Sequence, residues 1–196
     1  MYPYNQKMGQ TIQTNADGVE ADRGFLAHFQ VAAAAAAAAS ATAILAATAL
    51  TDEAQAITTG ITNPAVPRSL TVKGNAAGIT GNVVITGTNY AGAVITETIA
   101  LNGSTAVEGA KAFKTVTKID LPVEVNTGTD TVSVGTGTKL GLPWLLPHNT
   151  VLAAFLDNAK EGTAPTVTVS ATAIESNTIK LNSALAGKVV DAYLIV

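Results

Sequence analysis

The feature that most constrains the fold of this chain is a change of composition along its first half. Alanine dominates residues 31–50, whereas the residues after 68 form short Thr, Val and Ile stretches separated by glycine and asparagine. Alanine has the highest intrinsic helix propensity, and short β-branched stretches between turn residues are typical of strands. The two patterns predict a helical segment followed by many short strands.

Nine strands are predicted after residue 68, and turn residues such as those at 89–92 and 102–103 separate them. The predicted strands cover 69–73, 82–87, 93–101, 113–121, 131–135, 151–156, 166–171, 178–181 and 189–196. Short strands with such regular turn signals favour an antiparallel β-sandwich, Ig-like or jelly-roll-like, over a βαβ fold. We therefore expect a mainly β protein.

Two of these strands depart from simple alternation. In 93–101, Glu97 falls on the same face as Ile95 and Ile99, which predicts either a bulge or a partly hydrated face. The stretch 189–196 is apolar on both faces apart from Asp191, which predicts a strand at the centre of a sheet or in an interface.

The chain divides into four predicted parts. Residues 1–30 lack a clear period and are interpreted as an extended arm that orders on a partner. Residues 31–60 are predicted to be an Ala-rich helical segment, residues 61–68 a proline-containing linker, and residues 69–196 the β domain. A division of the β domain near 138–150 is left open.

The helical segment is predicted to contain a second, short helix. Thr51 is its candidate cap, because a threonine hydroxyl accepts from the first free amides of a helix. Asp52 and Glu53 would lie in its first turn, and Gly60 would end it.

Composition limits the classes of partner. Charged residues make up 13% of the chain and aromatic residues 5%, both low for a soluble monomer, so we expect much of the surface to be covered by other chains. The net charge of −3 argues against a nucleic-acid partner. Segment 31–50 is long enough to invite a membrane interpretation, but alanine is weakly apolar and Ser40, Thr42 and Thr48 dilute it further. We expect no membrane partner.

No motif in the sequence predicts a catalytic, cofactor or metal site. The chain has no cysteine, which excludes thiolate chemistry and disulfides. His148 lies in an apolar, proline-flanked loop without a neighbouring nucleophile, and residues 135–137 lack the lysine of a phosphate-binding loop. We therefore expect a protein that is not an enzyme and needs no cofactor.

Several phrases in the β region carry a family resemblance. They are VPRSLTV at 66–72, GNVVITGT at 81–88, ITETIALNG at 95–103, KAFKTV at 111–116, NTIKLN at 177–182 and DAYLIV at 191–196. Residues 66–196 resemble β-rich virion proteins of tailed bacteriophages and prophages, of the kind that decorate or cement capsids or form head fibres. The resemblance lies in style and phrase, and it does not include a catalytic signature or the Ala-rich segment.

The resemblance implies a structural protein on the capsid surface, made in the host cytoplasm. Its expected partners are the major capsid protein, further copies of itself, or both, with a trimer as one possible oligomer. We expect aromatic side chains of the arm to anchor it, because aromatic residues often dominate interface energetics; the candidates are Tyr2, Tyr4, Phe25 and Phe29.

Two other functions stay open at this point. A tail-tube or fibre subunit would have similar Thr- and Gly-rich strands. A glycan-binding adhesion module would use exposed aromatic rings to stack on sugars, and Tyr90 and Trp144 are the candidates because each lies in a predicted turn or loop.

Overall fold

The computed structural model describes residues 12–13, 20–21, 24–126 and 128–196. Within these ranges the chain forms sixteen strands, all paired antiparallel, and one 3-10 helix at Ile174–Ser176. The strands are β1 (Ile12–Gln13), β2 (Glu20–Ala21), β3 (Leu26–Val31), β4 (Ser40–Ala49), β5 (Gln55–Ile57), β6 (Arg68–Gly74), β7 (Asn82–Thr88), β8 (Val94–Ala100), β9 (Val107–Glu108), β10 (Thr115–Leu121), β11 (Thr131–Gly141), β12 (Val151–Leu156), β13 (Ala159–Lys160), β14 (Thr166–Thr168), β15 (Thr178–Lys180) and β16 (Val190–Ile195).

Strands from the middle of the chain form one sheet pair, which we call the inserted unit. One sheet has the order β5-β10-β7-β8, and the facing sheet contains β4, the first part of β11, β6 and β9. Both sheets contribute to a single apolar cluster, whose fully buried members include Leu70, Ile85, Phe113 and Ile119. Burial of this cluster between two sheets is the main stabilising interaction of the unit.

Strands from the two ends of the described chain form a second sheet pair, which we call the terminal unit. One sheet has the order β13-β12-β16-β3, and the facing strands are β14, β15 and the last part of β11. The cluster between them includes Phe29, Leu140, Ile179 and Leu194. Because β3 pairs with β16, the N-terminal strand completes a sheet made of C-terminal strands.

Strand β11 belongs to both units. Its first half pairs with β4 and β6 at Thr131–Thr136, and its end pairs with β15 at Leu140 and Gly141. Val132 and Val134 face the inserted cluster, whereas Leu140 faces the terminal cluster. The chain therefore passes from one unit to the other inside a continuous strand.

The predicted Ala-rich helix is wrong. Residues 32–36 form a single turn, closed by the amide of Ala36 donating to the carbonyl of Ala32 at 3.0 Å, and the chain is then extended as β4. Ile44 and Leu45 are buried in the inserted cluster, and β4 satisfies the hydrogen-bonding groups of β11. Burial and strand pairing outweigh the helix propensity of alanine, which amounts to less than about 1 kcal/mol per residue.

The second predicted helix is also wrong, because residues 55–57 form β5. The hydroxyl of Thr51 donates to the carbonyl of Glu53 at 2.9 Å, which closes a local turn without capping a helix. Gly60 has a φ of 70°, a conformation that glycine adopts without strain, in the connection that follows.

The predictions for the later strands are confirmed. All nine predicted strands are present, and the strand predicted at 131–135 continues to Gly141. Strand β16 is central in its sheet, between β12 and β3. In β8, the register with β7 is continuous, and half-buried Glu97 accepts from the amide of Ala110 at 2.6 Å. The carboxylate on the buried face therefore has an amide partner, and no bulge is present.

Candidate functional site

The structure places the four candidate anchor residues in different environments. Tyr2 and Tyr4 lie outside the described residues. Phe25 is half-buried and exchanges two backbone hydrogen bonds with Val196, at 2.8 and 2.9 Å. Phe29 lies in β3 and is 8% exposed, with its ring in the terminal cluster. Phe29 thus packs inside this chain, and Phe25 is at the edge of the terminal unit.

An apolar groove of about 450 Å³ lies at that edge, and we call it the end groove. Its lining residues are Gly24, Trp144, Leu145, Leu146, Pro147, His148, Thr150, Ile195 and Val196. Leu145 is 51% exposed and Val196 37% exposed, and Leu26, the cross-strand partner of Ile195, is 65% exposed. The groove therefore presents apolar side chains to solvent where residues 1–23 join the terminal unit.

Asn177 holds the wall of the end groove in place. Its side-chain oxygen accepts from the amides of Leu146 and Ser170, at 3.2 and 2.8 Å. Its side-chain nitrogen donates to the carbonyls of Ser170 and Ala173, at 2.8 and 3.0 Å. Asn177 is fully buried, and all of these bonds link loops of the terminal unit. The groove wall is therefore fixed by a satisfied buried amide.

A second depression of about 520 Å³ lies on the outer face of the sheet that contains β3, and we call it the outer cleft. It is lined by His28, Gln30, Phe155, Asn158, Val189, Asp191 and Tyr193. The register explains this grouping, because His28 is opposite Tyr193, Gln30 is opposite Asp191, and Phe155 is opposite Asp191 on its other side. Cross-strand partners share one face of a sheet.

The polar centre of the outer cleft is Asp191. Its Oδ1 atom lies 2.7 Å from Nε2 of His28 and accepts from Nε2 of Gln30 at 2.8 Å. An ionised carboxylate only accepts, so we assign the proton of this bond to Nε2 of His28. The side chain of Asp191 is 11% exposed and that of His28 is 42% exposed. The carboxylate is therefore held in one orientation at the floor of the cleft.

Three rings, those of His28, Phe155 and Tyr193, also line the outer cleft. The rings of His28 and Tyr193 are stacked, with centroids 4.8 Å apart and an interplanar angle of 8°. The ring of Phe155 meets Tyr193 edge to face, at 5.9 Å and 88°. Such arrangements are favourable for aromatic pairs and restrict the rings to few orientations.

Sequence reasoning missed the outer cleft. His28 was assigned to the arm, and Asp191 was noted only as an exception in an apolar strand. The available signal was the alternation of polar and aromatic residues in both strands, at His28 and Gln30 and at Asp191 and Tyr193. The pairing of β3 with β16, which joins the two sets, is not encoded locally.

The candidate sugar-stacking residues are not brought together. Tyr90 is 38% exposed on the turn between β7 and β8 of the inserted unit. Trp144 packs against the terminal cluster and lines the end groove, together with His148. No group of three or more His, Cys, Asp or Glu side chains in the described parts of the chain is arranged to hold a metal ion.

A third polar cluster joins the two units, where β11 is irregular. Between its pairs at Thr136 and Leu140, three residues of β11 lie opposite Ser69 alone, and the half-buried side chain of Glu108 fills the gap. Oε1 of Glu108 accepts from the amide of Thr138 at 2.6 Å and from the hydroxyl of Ser69 at 2.5 Å. Burial acts to raise the pKa of Glu108, but the hydrogen bonds from Ser69, Thr138 and Lys139 outweigh it and lower the pKa overall.

Arg68 lies beside this cluster and is 2% exposed. Its guanidinium donates to the carbonyl of Ala37 at 3.0 Å and to the carbonyl of Gly137. Burial lowers the pKa of Arg68, and the charge of Glu108 acts in the opposite direction. The side chain of Arg68 therefore links Ala37, which follows the alanine-rich turn, to Gly137 in the irregular part of β11. We interpret the cluster as structural.

Comparison of the chain with protein-family models, with curated proteins and with solved structures finds no match in any of the three. Across the described residues, no helix has both the length and the apolar character needed to cross a bilayer.

Proposed function

We propose that this chain is a structural virion protein, a capsid decoration or cement protein that binds the phage head lattice and stabilises it. The observation that carries the proposal is the end groove, where Leu145 and Val196 expose apolar side chains; exposed Leu26 lies opposite Ile195 of its lining. Contiguous exposed apolar surface is typical of interaction sites. The resemblance of residues 66–196 to β-rich virion proteins supplies the class of partner.

Docking takes place at the end groove together with residues 1–23. Phe25, beside Val196, and the arm residues Tyr2 and Tyr4 are the proposed anchors. Phe29 is omitted, because its ring is used by the core of this chain. A helical contact is omitted as well, because the alanine-rich segment is a turn and a strand.

Repetition over the shell provides the affinity. Each copy buries a modest apolar area, and a contact to a neighbouring copy makes the next binding event effectively intramolecular. The partners are the major capsid protein and copies of this chain, with a trimer as the simplest oligomer, and the site of action is the capsid surface after synthesis in the host cytoplasm. We include in the proposal that the sheet pairs are sandwiches of the Ig-like or jelly-roll-like type.

The test is a particle-binding experiment with the full chain. Phage particles from the strain that encodes the chain are stripped of it, and tagged protein is returned and co-sedimented with them. We expect binding that falls at least about tenfold for Leu145→Gln and for the double variant Tyr2→Ala, Tyr4→Ala. Val94→Gln is the matched control, because Val94 is a 74% exposed apolar residue in the inserted unit; it should bind normally.

Immunogold labelling of intact particles locates the protein. Label on the head supports the proposal, whereas label on the tail, or no label on any particle, contradicts it. Light scattering of the isolated protein gives a second criterion, since rings or tubes would identify a tail-tube subunit and monomers or trimers a decoration protein. Equal binding by Leu145→Gln and Val94→Gln would remove the end groove as the docking site.

A further inference from the structure

We propose that the outer cleft is a binding site for a neutral saccharide. The geometry that points to it is a fixed carboxylate, Asp191, beside ring surfaces of Phe155 and Tyr193. The outer cleft shares no lining residue with the end groove. It therefore gives the chain a function beyond attachment to a shell.

The polar groups of the outer cleft keep hydrogen-bonding capacity that this chain does not use. Both N–H donors bound to Asp191 reach the same oxygen, Oδ1, and no described residue donates to Oδ2. Gln30 donates through its nitrogen, so its side-chain oxygen keeps its acceptor capacity. Asn158, which is exposed at the rim, adds an amide that both donates and accepts. A ligand for this set must bring several groups that donate and accept, as vicinal hydroxyls do.

A second feature is the shape of the aromatic surface. Phe155 and Tyr193 stand at 88° to each other, and His28 stacks on one face of Tyr193, so three rings in two orientations line the cleft. A pyranose ring has an apolar C–H face and a polar rim of hydroxyls, which matches an aromatic ring set beside a carboxylate. The volume of about 520 Å³ falls within the range of about 300–1,000 Å³ that small-molecule sites have.

A third feature is charge, which selects a neutral ligand over a cation. Asp191 is already compensated by two N–H donors on its Oδ1. Near the lining residues Asn158 and Val189, the chain carries both signs of charge, with Asp157 and Glu161 negative and Lys160 and Lys188 positive. Lys160 is also the cross-strand partner of Phe155. Because the N–H donors of His28 and Gln30 already compensate Asp191, the cleft favours a neutral ligand that brings hydrogen-bonding groups over a cation.

The experiment titrates the full chain with neutral monosaccharides and probes it on a glycan array. The monosaccharides are glucose, galactose, mannose and N-acetylglucosamine, followed by NMR of the labelled protein, and lysine amide and arginine amide serve as cationic probes. We expect saturable binding of at least one neutral sugar. Phe155→Ala should weaken it about tenfold or more, because it removes an aromatic ring from the lining of the cleft. Asp191→Asn should also weaken it, because it replaces an acceptor by a donor.

Three further variants keep the test decisive if Asp191→Asn fails to fold. Asn158 has a φ of 62°, so Asn158→Gly removes the amide and retains a backbone conformation that glycine adopts easily; we expect weaker sugar binding at unchanged thermal stability. Tyr90→Ala, at an exposed ring of the inserted unit, and Trp144→Ala, at a half-buried ring of the end groove, are controls, and both should bind sugar normally.

The outcomes separate the alternatives. Absence of binding to every sugar on the array overturns the proposal, and so does binding of the cationic amides alone. Sugar binding that survives Phe155→Ala and Asn158→Gly but is lost in Tyr90→Ala or Trp144→Ala places the site elsewhere and also overturns it. Particle binding by Leu145→Gln is measured separately, so failure of this proposal is distinguishable from failure of the decoration function.

Discussion

The carboxylate of Glu108 lies 2.6 Å from the backbone nitrogen of Thr138, in the one stretch where β11 loses its register with β6. A second amide, that of Lys139, reaches the same oxygen at 3.1 Å. These amides belong to a strand that has no backbone partner at this point, so the side chain replaces the missing strand contacts. Glu108 therefore stabilises the passage of β11 from the inserted unit to the terminal unit.

Removal of this acceptor should destabilise the protein. In Glu108→Ala, the hydroxyl of Ser69 and the amides of Thr138 and Lys139 lose their common partner. We expect the free energy of unfolding to fall by about 1.5–3 kcal/mol, the range for hydrogen bonds to charged groups. Urea denaturation measures this value. Glu53→Ala is the control, because Glu53 is exposed, and an equal loss in both variants would contradict the assigned role.

The same carboxylate predicts a dependence of stability on pH. Hydrogen bonds lower the pKa of Glu108 below its ordinary value, so its ionised form is favoured in the folded state. Its contribution is fully present above the unfolded pKa of about 4.3 and is lost as the pH falls through the lower folded pKa.

The measurement is the difference in unfolding free energy between the wild-type protein and Glu108→Gln from pH 7 to pH 3. We expect a constant difference above about pH 5 and a smaller one below it. Hydrogen bonds from Asn126 also lower the pKa of Asp130. Asp130 is present in both proteins, so its pH-dependent contribution cancels in the difference. A difference that widens on acidification would be incompatible with the hydrogen-bonded carboxylate.

Gly137 is a position where a larger residue should disrupt this cluster. A Cβ atom there would collide with Oε1 of Glu108 and with the hydroxyl of Ser69. We expect Gly137→Ala to lower the free energy of unfolding by about 1–3 kcal/mol, as overpacking does. Gly162→Ala is the matched control, since no heavy atom lies within 4 Å of its added Cβ, and it should be neutral or slightly stabilising.

A double variant identifies the cause of the Gly137 effect. If the collision with Glu108 is responsible, Gly137→Ala should cost less in the Glu108→Ala background than in the wild-type protein. Strict additivity of the two changes would show that the glycine is needed for another reason.

Local sequence patterns sufficed for most of the later strands. Residues 151–156 were predicted with the observed bounds, because β-branched and apolar residues there lie between clear turn signals. The helix prediction for the Ala-rich segment was wrong for a physical reason, because the conformation of this segment depends on its pairing with β11. Thr131, which pairs with Ala49, lies more than eighty positions further along the chain. A propensity of tenths of a kcal/mol does not compete with burial of Ile44.

The outer cleft could not be predicted for a similar reason. His28 and Asp191 are 163 positions apart in the chain, and only the pairing of β3 with β16 brings them together. Alternation can show that His28 and Gln30 share a face, but it does not identify the strand opposite them. The sequence shows Asp191 as a polar exception in an apolar strand, but its hydrogen bonds to His28 and Gln30 follow only from the pairing with β3.

The strand conformation of the Ala-rich segment can be tested with an engineered disulfide. Ala49 and Thr131 are direct cross-strand partners in β4 and β11, and direct partners have the Cα separation that a disulfide requires. The chain has no cysteine of its own, so Ala49→Cys with Thr131→Cys introduces one unambiguous pair. We expect it to oxidise readily in the folded protein, as detected by mass spectrometry of the linked peptides. The control pair, Ala43→Cys with Thr131→Cys, moves one thiol about 20 Å along β4, at about 3.3 Å per residue, and should stay reduced. Equal oxidation of both pairs, or of neither, would be inconsistent with a strand in this register.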